Sequence, residues 1–236
     1  MLIFVTSNEV KFINISQMEA LTIDNPEEAN NRLNELGLSE KDLHDIAMAM
    51  VGAKQGSTKN DVAGAGGLRS WMDGTRRARE ILTLQGWKRD RTAQVESVAN
   101  KELGIRLIVC NTDANTGLPN CIPQNSSKKG NGTQSNVNCN QQNFFSQLGY
   151  DNHASAGGEF VTWYLCVYSS KETMRSELSC PTVMANGYFV EFSERIILSG
   201  GNDDFNQPKT GRKPITPPST PVQEYDIPVV RKTGTE

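Results

Sequence analysis

The stretch Gly104 to Gly117, GIRLIVCNTDANTG, constrains the fold more than any other. Ile105 to Cys110 is a run of six residues, five of them apolar, and it stops abruptly at Asn111-Thr112-Asp113. A continuous apolar run of that length, bounded by a glycine and by turn formers, predicts a strand covered on both faces. The next residues, Asn111 to Gly117, carry short polar side chains that bond to nearby backbone. A central strand ending in such a loop is a common place for chemistry. Turn chemistry alone also explains every residue there, so an Asx-type turn is the plainer reading.

Further strands follow later in the chain. Phe160 to Tyr168, FVTWYLCVY, is aromatic and β-branched and predicts a strand buried on at least one face. Thr173 to Cys180 places Met174, Ser176 and Leu178 on one side and reads as a returning strand that Pro181 ends. Asn186-Gly187 is a tight-turn signal. It implies strands over Tyr188 to Phe192 and Arg195 to Leu198, with a bend or bulge at Ser193-Glu194. Residues 2–15 read as a hairpin, possible partner of the same sheet.

Helices concentrate between residues 25 and 103. Asn25 caps a first helix, with Pro26 at its first position and Glu28 as the capping-box acid. It runs to about Leu36 and stops at Gly37. Ser39 caps a second, with Asp42 in the capping-box place and a stripe of Leu43, Ile46, Ala47 and Met50. A DNA-reading helix-turn-helix is the alternative for this helix pair, disfavoured because acids in the first turns of the second helix cost affinity near phosphates. A third helix spans about Gly67 to Gln85, with Leu68, Trp71, Thr75, Ala78 and Leu82 as its buried stripe. Residues 92–103 read as a short fourth helix. A run of helices followed by a run of strands predicts an α+β fold: a helical N-terminal half packed on a mostly antiparallel sheet. One domain is expected over 1–201. Residues 118–143, dominated by Asn, Gln, Ser and Gly, read as a long flexible loop. Residues 202–236 read as an extended or disordered tail, since six of the ten prolines lie between 208 and 228.

Net charge is −3, which does not describe a polycation seeking nucleic acid. The charge is segregated, however. Residues 19–61 hold nine acids and four bases, whereas residues 69–91 hold seven bases and three acids. The series Arg69, Asp73, Arg76, Glu80 alternates in sign at helical contact spacing, as on a solvated, self-paired face. The functional alternative joins Arg76, Arg77 and Arg79 to Lys88, Arg89 and Arg91 as a basic ridge that contacts phosphates or an acidic protein. Trp87, between the two clusters, is placed either to stack on a base or to pack after the helix-ending Gly86.

Signals for catalysis are sparse. The glycine-rich connection GAKQGSTKNDVAGAGG at 52–67 has Ser57 where a phosphate-cradling loop needs lysine, and Arg69 where a dinucleotide fingerprint needs its third glycine. The two histidines, His44 and His153, have no companion at zinc-ligand spacing. No metal site and no cofactor is therefore expected. An oxygen-ligated magnesium site using Asp113 with Glu96 or Glu102 is conceivable. No run of apolar residues approaches the ~20 needed to cross a bilayer. No signal peptide is visible at the start of the sequence, and the five cysteines are odd in number and widely spaced. The expectation is a reduced, cytoplasmic protein that does not engage membranes. Charge segregation favours a non-enzymatic binding or accessory protein that contacts nucleic acid or an acidic protein through the helix and loop at 76–91. The alternative is an enzyme of phosphoryl-transfer or nuclease type, with its site at the strand-end loop 111–117 and Asp113 as the catalytic candidate.

Overall fold

A computed structural model describes residues 2–6, 9–13, 20–148 and 158–198. The expected tail at 202–236 and the loop carrying His153 lie outside the described residues. The elements run β1 (Leu2–Thr6), β2 (Glu9–Ile13), β3 (Leu21–Ile23), α1 (Pro26–Glu35), α2 (Glu40–Gln55), α3 (Ala65–Leu82), β4 (Lys88–Asp90), β5 (Ser97–Asn100), β6 (Ile105–Asn111), α4 (Asn131–Gln147), β7 (Val161–Ser169), β8 (Met174–Ala185) and β9 (Tyr188–Leu198). β1 and β2 pair as a hairpin in a two-stranded sheet of their own. The main sheet has seven strands in the order β3-β9-β8-β7-β6-β5-β4. Its pairs are antiparallel except β3 with β9 and β6 with β7. The fold is α+β, as the order of elements implies.

The caps form as their residues dictate. Asn25 Oδ1 accepts from the Glu27 and Glu28 amides at 2.9 and 3.2 Å. Ser39 Oγ accepts from the Asp42 amide at 3.1 Å. Each satisfies amides that the first helical turn leaves without acceptors. Leu43, Ile46, Ala47 and Met50 are all buried. α1, α2 and α3 cover one face of the sheet. There they close a core with Leu107 and Val109 of β6, Trp163 and Leu165 of β7, Leu178 of β8 and Ile196 of β9. Trp87 belongs to this core at 3% exposure, so it packs and has no face free for a base.

Several elements depart from the sequence reading. The buried side of α3 is Ser70, Gly74, Thr75, Ala78 and Leu82, while Leu68 stays largely exposed. Gly74 sits where a Cβ would collide with the Met50 side chain, so close approach to α2 rotates the helix away from a purely apolar stripe. Residues 92–103 are not a helix. A single 3₁₀ turn at Thr92–Gln94 precedes β5, which pairs antiparallel with β6. Asn100 Oδ1 accepts from the Glu102 and Leu103 amides, and Gly104 takes a φ of +64°, so this segment reverses the chain into β6. Pro181 does not end β8. The strand runs on to Ala185 with register shifts at Pro181, where the pairing jumps from Glu194 to Phe192 and leaves Ser193 bulged. Asn186 and Gly187 take φ of 54° and 86°, as a two-residue hairpin turn requires.

The largest correction concerns residues 118–143. They are loop only as far as Gly130, and α4 then runs for 17 residues. α4 packs on the opposite face of the sheet from α1–α3, against Ile108, Cys110, Tyr164, Cys166, Phe189 and Phe192. Its one buried apolar residue is Val137, and polar Thr133, Asn136 and Asn140 are buried beside it. Asn140 bonds like a strand: its Oδ1 accepts from the Thr162 amide at 2.8 Å, and its Nδ2 donates to the Thr162 and Pro181 carbonyls. Buried amide side chains have replaced the apolar stripe by which a helix is normally recognised. No described helix is long and apolar enough to cross a membrane.

Candidate functional site

Three regions hold the residues that could carry function. The first is the basic segment on α3 and β4. Arg76 pairs with Asp73 at 3.3 Å and Glu80 at 3.7 Å, and Arg77 with Glu80 at 3.4 Å and Asp45 at 3.6 Å. Arg79 and Arg91 converge on one carboxylate, Glu96. Arg69 bonds Asp61 rather than Asp73. Four of the six expected ridge residues are therefore ion-paired, and the acids on and around α3 absorb much of their field. Lys88 and Arg89 differ. They stand exposed on β4, the edge strand of the sheet, and have no carboxylate partner among the described residues. Arg89 lies opposite Val98 and Lys88 opposite Ala99, so the two side chains leave the edge on opposite faces.

The second region is the strand-end loop. Asn111 ties β6 to α3, its Oδ1 accepting from Ser70 Oγ and its Nδ2 donating to the Gly67 carbonyl. Asp113 is spent on the loop itself. Its Oδ1 accepts from the Asn115 and Gln124 amides at 3.2 and 3.1 Å, and its Oδ2 from Asn115 Nδ2 at 3.3 Å. The Thr116 hydroxyl lies 2.7 Å from both the Asp113 carbonyl oxygen and the Thr112 hydroxyl. This is the geometry of an Asx-type turn, with both carboxylate oxygens engaged within the loop. Glu96, suggested as a partner acid, is held instead by Arg79 and Arg91. Among the described residues no group of three or more His, Cys, Asp or Glu side chains could hold a metal ion.

What fixes this loop is a pair that the sequence reading did not single out. Glu177 and Arg195 lie diagonally across adjacent strands, Arg195 opposite Ser179 and Glu177 opposite Ile197, and are 0% and 3% exposed. Arg195 donates through Nε and Nη2 to the two Glu177 oxygens at 2.9 and 2.7 Å. Glu177 also accepts from Ser179 Oγ and the Gly117 amide, and Arg195 also donates to the Leu118 and Pro119 carbonyls. Every polar atom of the pair is used, which is the condition for burying two charges. The signal was present. In MRSELSC, Glu177 falls opposite to the apolar side of the strand, a position that reads as solvent-facing until a loop covers it.

The third region is an open cavity of about 500 Å³ between the 93–96 turn, β6 and the start of α4. Trp71, Val95, Ile108 and Tyr164 give it apolar walls, and Lys129 with Gly130 to Thr133 form its polar end. Its rim is strained: Ala93 and Gln94 have φ of 53° and 60°. Gly132 meets the Ala93 carbonyl so closely that no Cβ fits between them. Lys129 is placed by the hairpin tip, its amide donating to the Gly187 carbonyl at 2.9 Å. Tyr164, 1% exposed, makes no hydrogen bond through its hydroxyl. Burial pushes the Tyr164 phenol well above its ordinary range, against a smaller opposing effect of the Asn136 carboxamide. Burial likewise raises the Cys110 thiol beneath the cavity, with Lys129 acting the other way. All five cysteines are free thiols.

No protein-family model matches the chain, and no curated protein or solved structure matches it either.

Proposed function

We propose that this chain is a non-enzymatic binding protein whose partner is an acidic, extended protein segment that lies along β4. One observation carries the reading: Lys88 and Arg89 are the two basic residues of the ridge with no carboxylate partner among the described residues, and they sit on the open edge of the sheet. An edge strand presents unpaired backbone donors and acceptors that an added strand satisfies, while its side chains select the partner. Cations leaving that edge on both faces favour a segment with acids on both sides. Arg91, 72% exposed and sharing Glu96 with Arg79, stands next along the chain to extend the attraction. A nucleic acid fits less well, because Trp87 offers no stacking surface and Arg76, Arg77 and Arg79 already have acidic partners.

Fluorescence anisotropy on the full chain tests this with a labelled peptide of Glu-Glu-Val-Val repeats, which carries acids on both faces when extended, and with single- and double-stranded oligonucleotides, each over a salt series. The expected result is peptide binding that weakens with salt and falls about tenfold or more in Lys88→Glu/Arg89→Glu, in line with about 1.5 kcal/mol or more for desolvated charge pairs. Oligonucleotide binding with a steep salt slope, and none to the peptide, would transfer the site to nucleic acid. Peptide binding indifferent to the double reversal would remove β4 from the reading.

A further inference from the structure

The open cavity and the outer flank of α3 together form an apolar cleft just past the end of β4, the edge that carries Lys88 and Arg89. Its floor is a gap in the sheet. β5 pairs with β6 only as far as Leu107, and the chain rejoins that side of β6 at Asn111, whose carbonyl accepts from the Ser126 amide. Among the described residues no strand covers β6 between those points. Ile108 and Val109 fall in the gap, and both line the cavity. Successive strand residues point to opposite faces, so the cleft opens on the edge of the sheet, between the layer of α3 and the layer of α4.

One wall of the cleft continues as exposed apolar surface. Leu68, Met72, Thr75 and Arg79 follow at three- and four-residue steps and share a flank of α3. Arg79 reaches Glu96 on the cavity rim, and Trp71, beside Met72 and one turn on from Leu68, lines the cavity itself. Leu68 and Met72 are 56% and 54% exposed and belong to neither core cluster. A single exposed leucine is ordinary, but two large apolar side chains flanking an apolar cavity form a patch of the kind that partners cover. The charge around this patch is positive. Arg91 stands 72% exposed at the turn, Lys129 lies in the polar end, and the acid of the rim, Glu96, is shared by Arg79 and Arg91. The turn after β4 contributes Ala93 to Glu96 to the cavity. A segment that lies along Lys88 to Asp90 and runs on past Arg91 therefore arrives at the cleft.

We infer that the cleft seats an aromatic side chain, flanked by acids, of the same acidic segment that pairs with β4. This seat rests on the edge-strand reading and adds the side chain by which the partner is selected. The ring lies against Trp71, Leu68 and Met72, where ring–ring and thioether–ring contacts are favourable, and the acids beside it face Arg91 and Lys129. An aliphatic side chain would fill less of an open cavity of about 500 Å³. Anisotropy on the full chain tests this with the Glu-Glu-Val-Val peptide and with two versions that carry one added Phe, at the N-terminal or the C-terminal end. Only one end of a paired segment lies at the cleft. One Phe peptide is therefore expected to bind about tenfold more tightly than the Phe-free peptide, the value of burying about half of the ring, and the other within about twofold of it. In Leu68→Ser/Met72→Ser the gain is expected to vanish while the Phe-free peptide binds as before. Both side chains are exposed, so the melting temperature is expected to stay unchanged. Phe peptides no tighter than the Phe-free one overturn the cleft and leave the edge strand standing. An equal gain at both ends, or a gain that survives Leu68→Ser/Met72→Ser, overturns the cleft as well. A gain lost in that variant but untouched by Lys88→Glu/Arg89→Glu keeps the cleft and removes the edge. Binding of none of the three peptides overturns both.

Discussion

Where α1, α2 and α3 cover the sheet, the buried layer is Leu43, Ile46, Met50, Leu107, Leu165 and Leu178, with hardly a polar atom between helix and strand. Where α4 and the strand-end loop cover it, the buried layer includes Arg106, Asn136, Asn140, Thr162, Glu177, Ser179 and Arg195. The first face is held by area removed from water, which tolerates changes of shape. The second is held by directed bonds, each of which must find its partner. A core of the second kind costs more when a single member is lost, and it leaves room for open polar cavities such as the one beside α4.

The sharpest break in that comparison is Arg195→Met. It leaves Glu177 charged, buried and stripped of two of its four donors. The expected loss is about 3–5 kcal/mol in urea unfolding, with much of it recovered in Glu177→Leu/Arg195→Met, because a matched apolar pair removes the stranded charge. A single substitution costing under about 1 kcal/mol would mean that water reaches the pair and that this face is not a polar core.

Leu165→Ala probes the other face. Leu165 is fully buried in the centre of β7 between β6 and β8. The expected loss is about 2–5 kcal/mol by the same measurement, set by the cavity that remains. Here no second substitution restores stability by matching charge, and partial recovery should come from refilling volume, as in Leu165→Met.

Asn140→Ala should cost less, about 1–3 kcal/mol, the penalty of leaving the Thr162 backbone and the Pro181 carbonyl without their side-chain partner. Asn140→Leu, which keeps volume and removes the bonds, separates the two contributions. A leucine protein as stable as the parent would show that α4 is held by shape after all.

The same contrast decides what could be read before the structure. The α2 stripe is legible because apolar residues at helical spacing have one explanation, and the caps at Asn25 and Ser39 mark where the helices start. β6 is legible because both of its faces are buried. α4 is not legible: Asn136 and Asn140 are buried amides whose spacing is helical but whose residue type signals loop. Glu177 and Arg195 are hidden for a related reason, since a charged residue opposite the apolar side of a strand ordinarily meets water. Of the basic ridge, the sequence shows the charges but not their partners. Asp45 and Glu96, distant in sequence, neutralise Arg77 and Arg79. The cavity leaves almost no trace, because the groups that form it are backbone amides, one lysine and the far side of a strand tyrosine.

The smallest expected effect is one of pH, and it again belongs to the face that α4 covers. Burial disfavours the Asp90 carboxylate, but hydrogen bonds from Thr92 and Ser97 and the nearby Arg106 outweigh it and hold the carboxyl below its usual range. Arg106 Nε lies 2.8 Å from Asp90, and Arg106 Nη1 donates to Asn136 Oδ1 at 3.0 Å, so the acid is linked through one guanidinium to α4. Because the folded state holds the proton less tightly than the unfolded chain, this contribution to stability is complete above the ordinary carboxylate range. It drains away as pH falls through the lowered value. Urea midpoints measured from about pH 7 down to about pH 3 should fall more steeply for the parent than for Asp90→Asn, which has no charge to lose. The apolar face supplies the control: Leu165→Met should shift the whole curve and leave its slope with pH unchanged. Identical slopes for parent and Asp90→Asn would show that the Asp90–Arg106 contact carries no net charge stabilisation, and that α4 is held to the edge of the sheet by its neutral bonds alone.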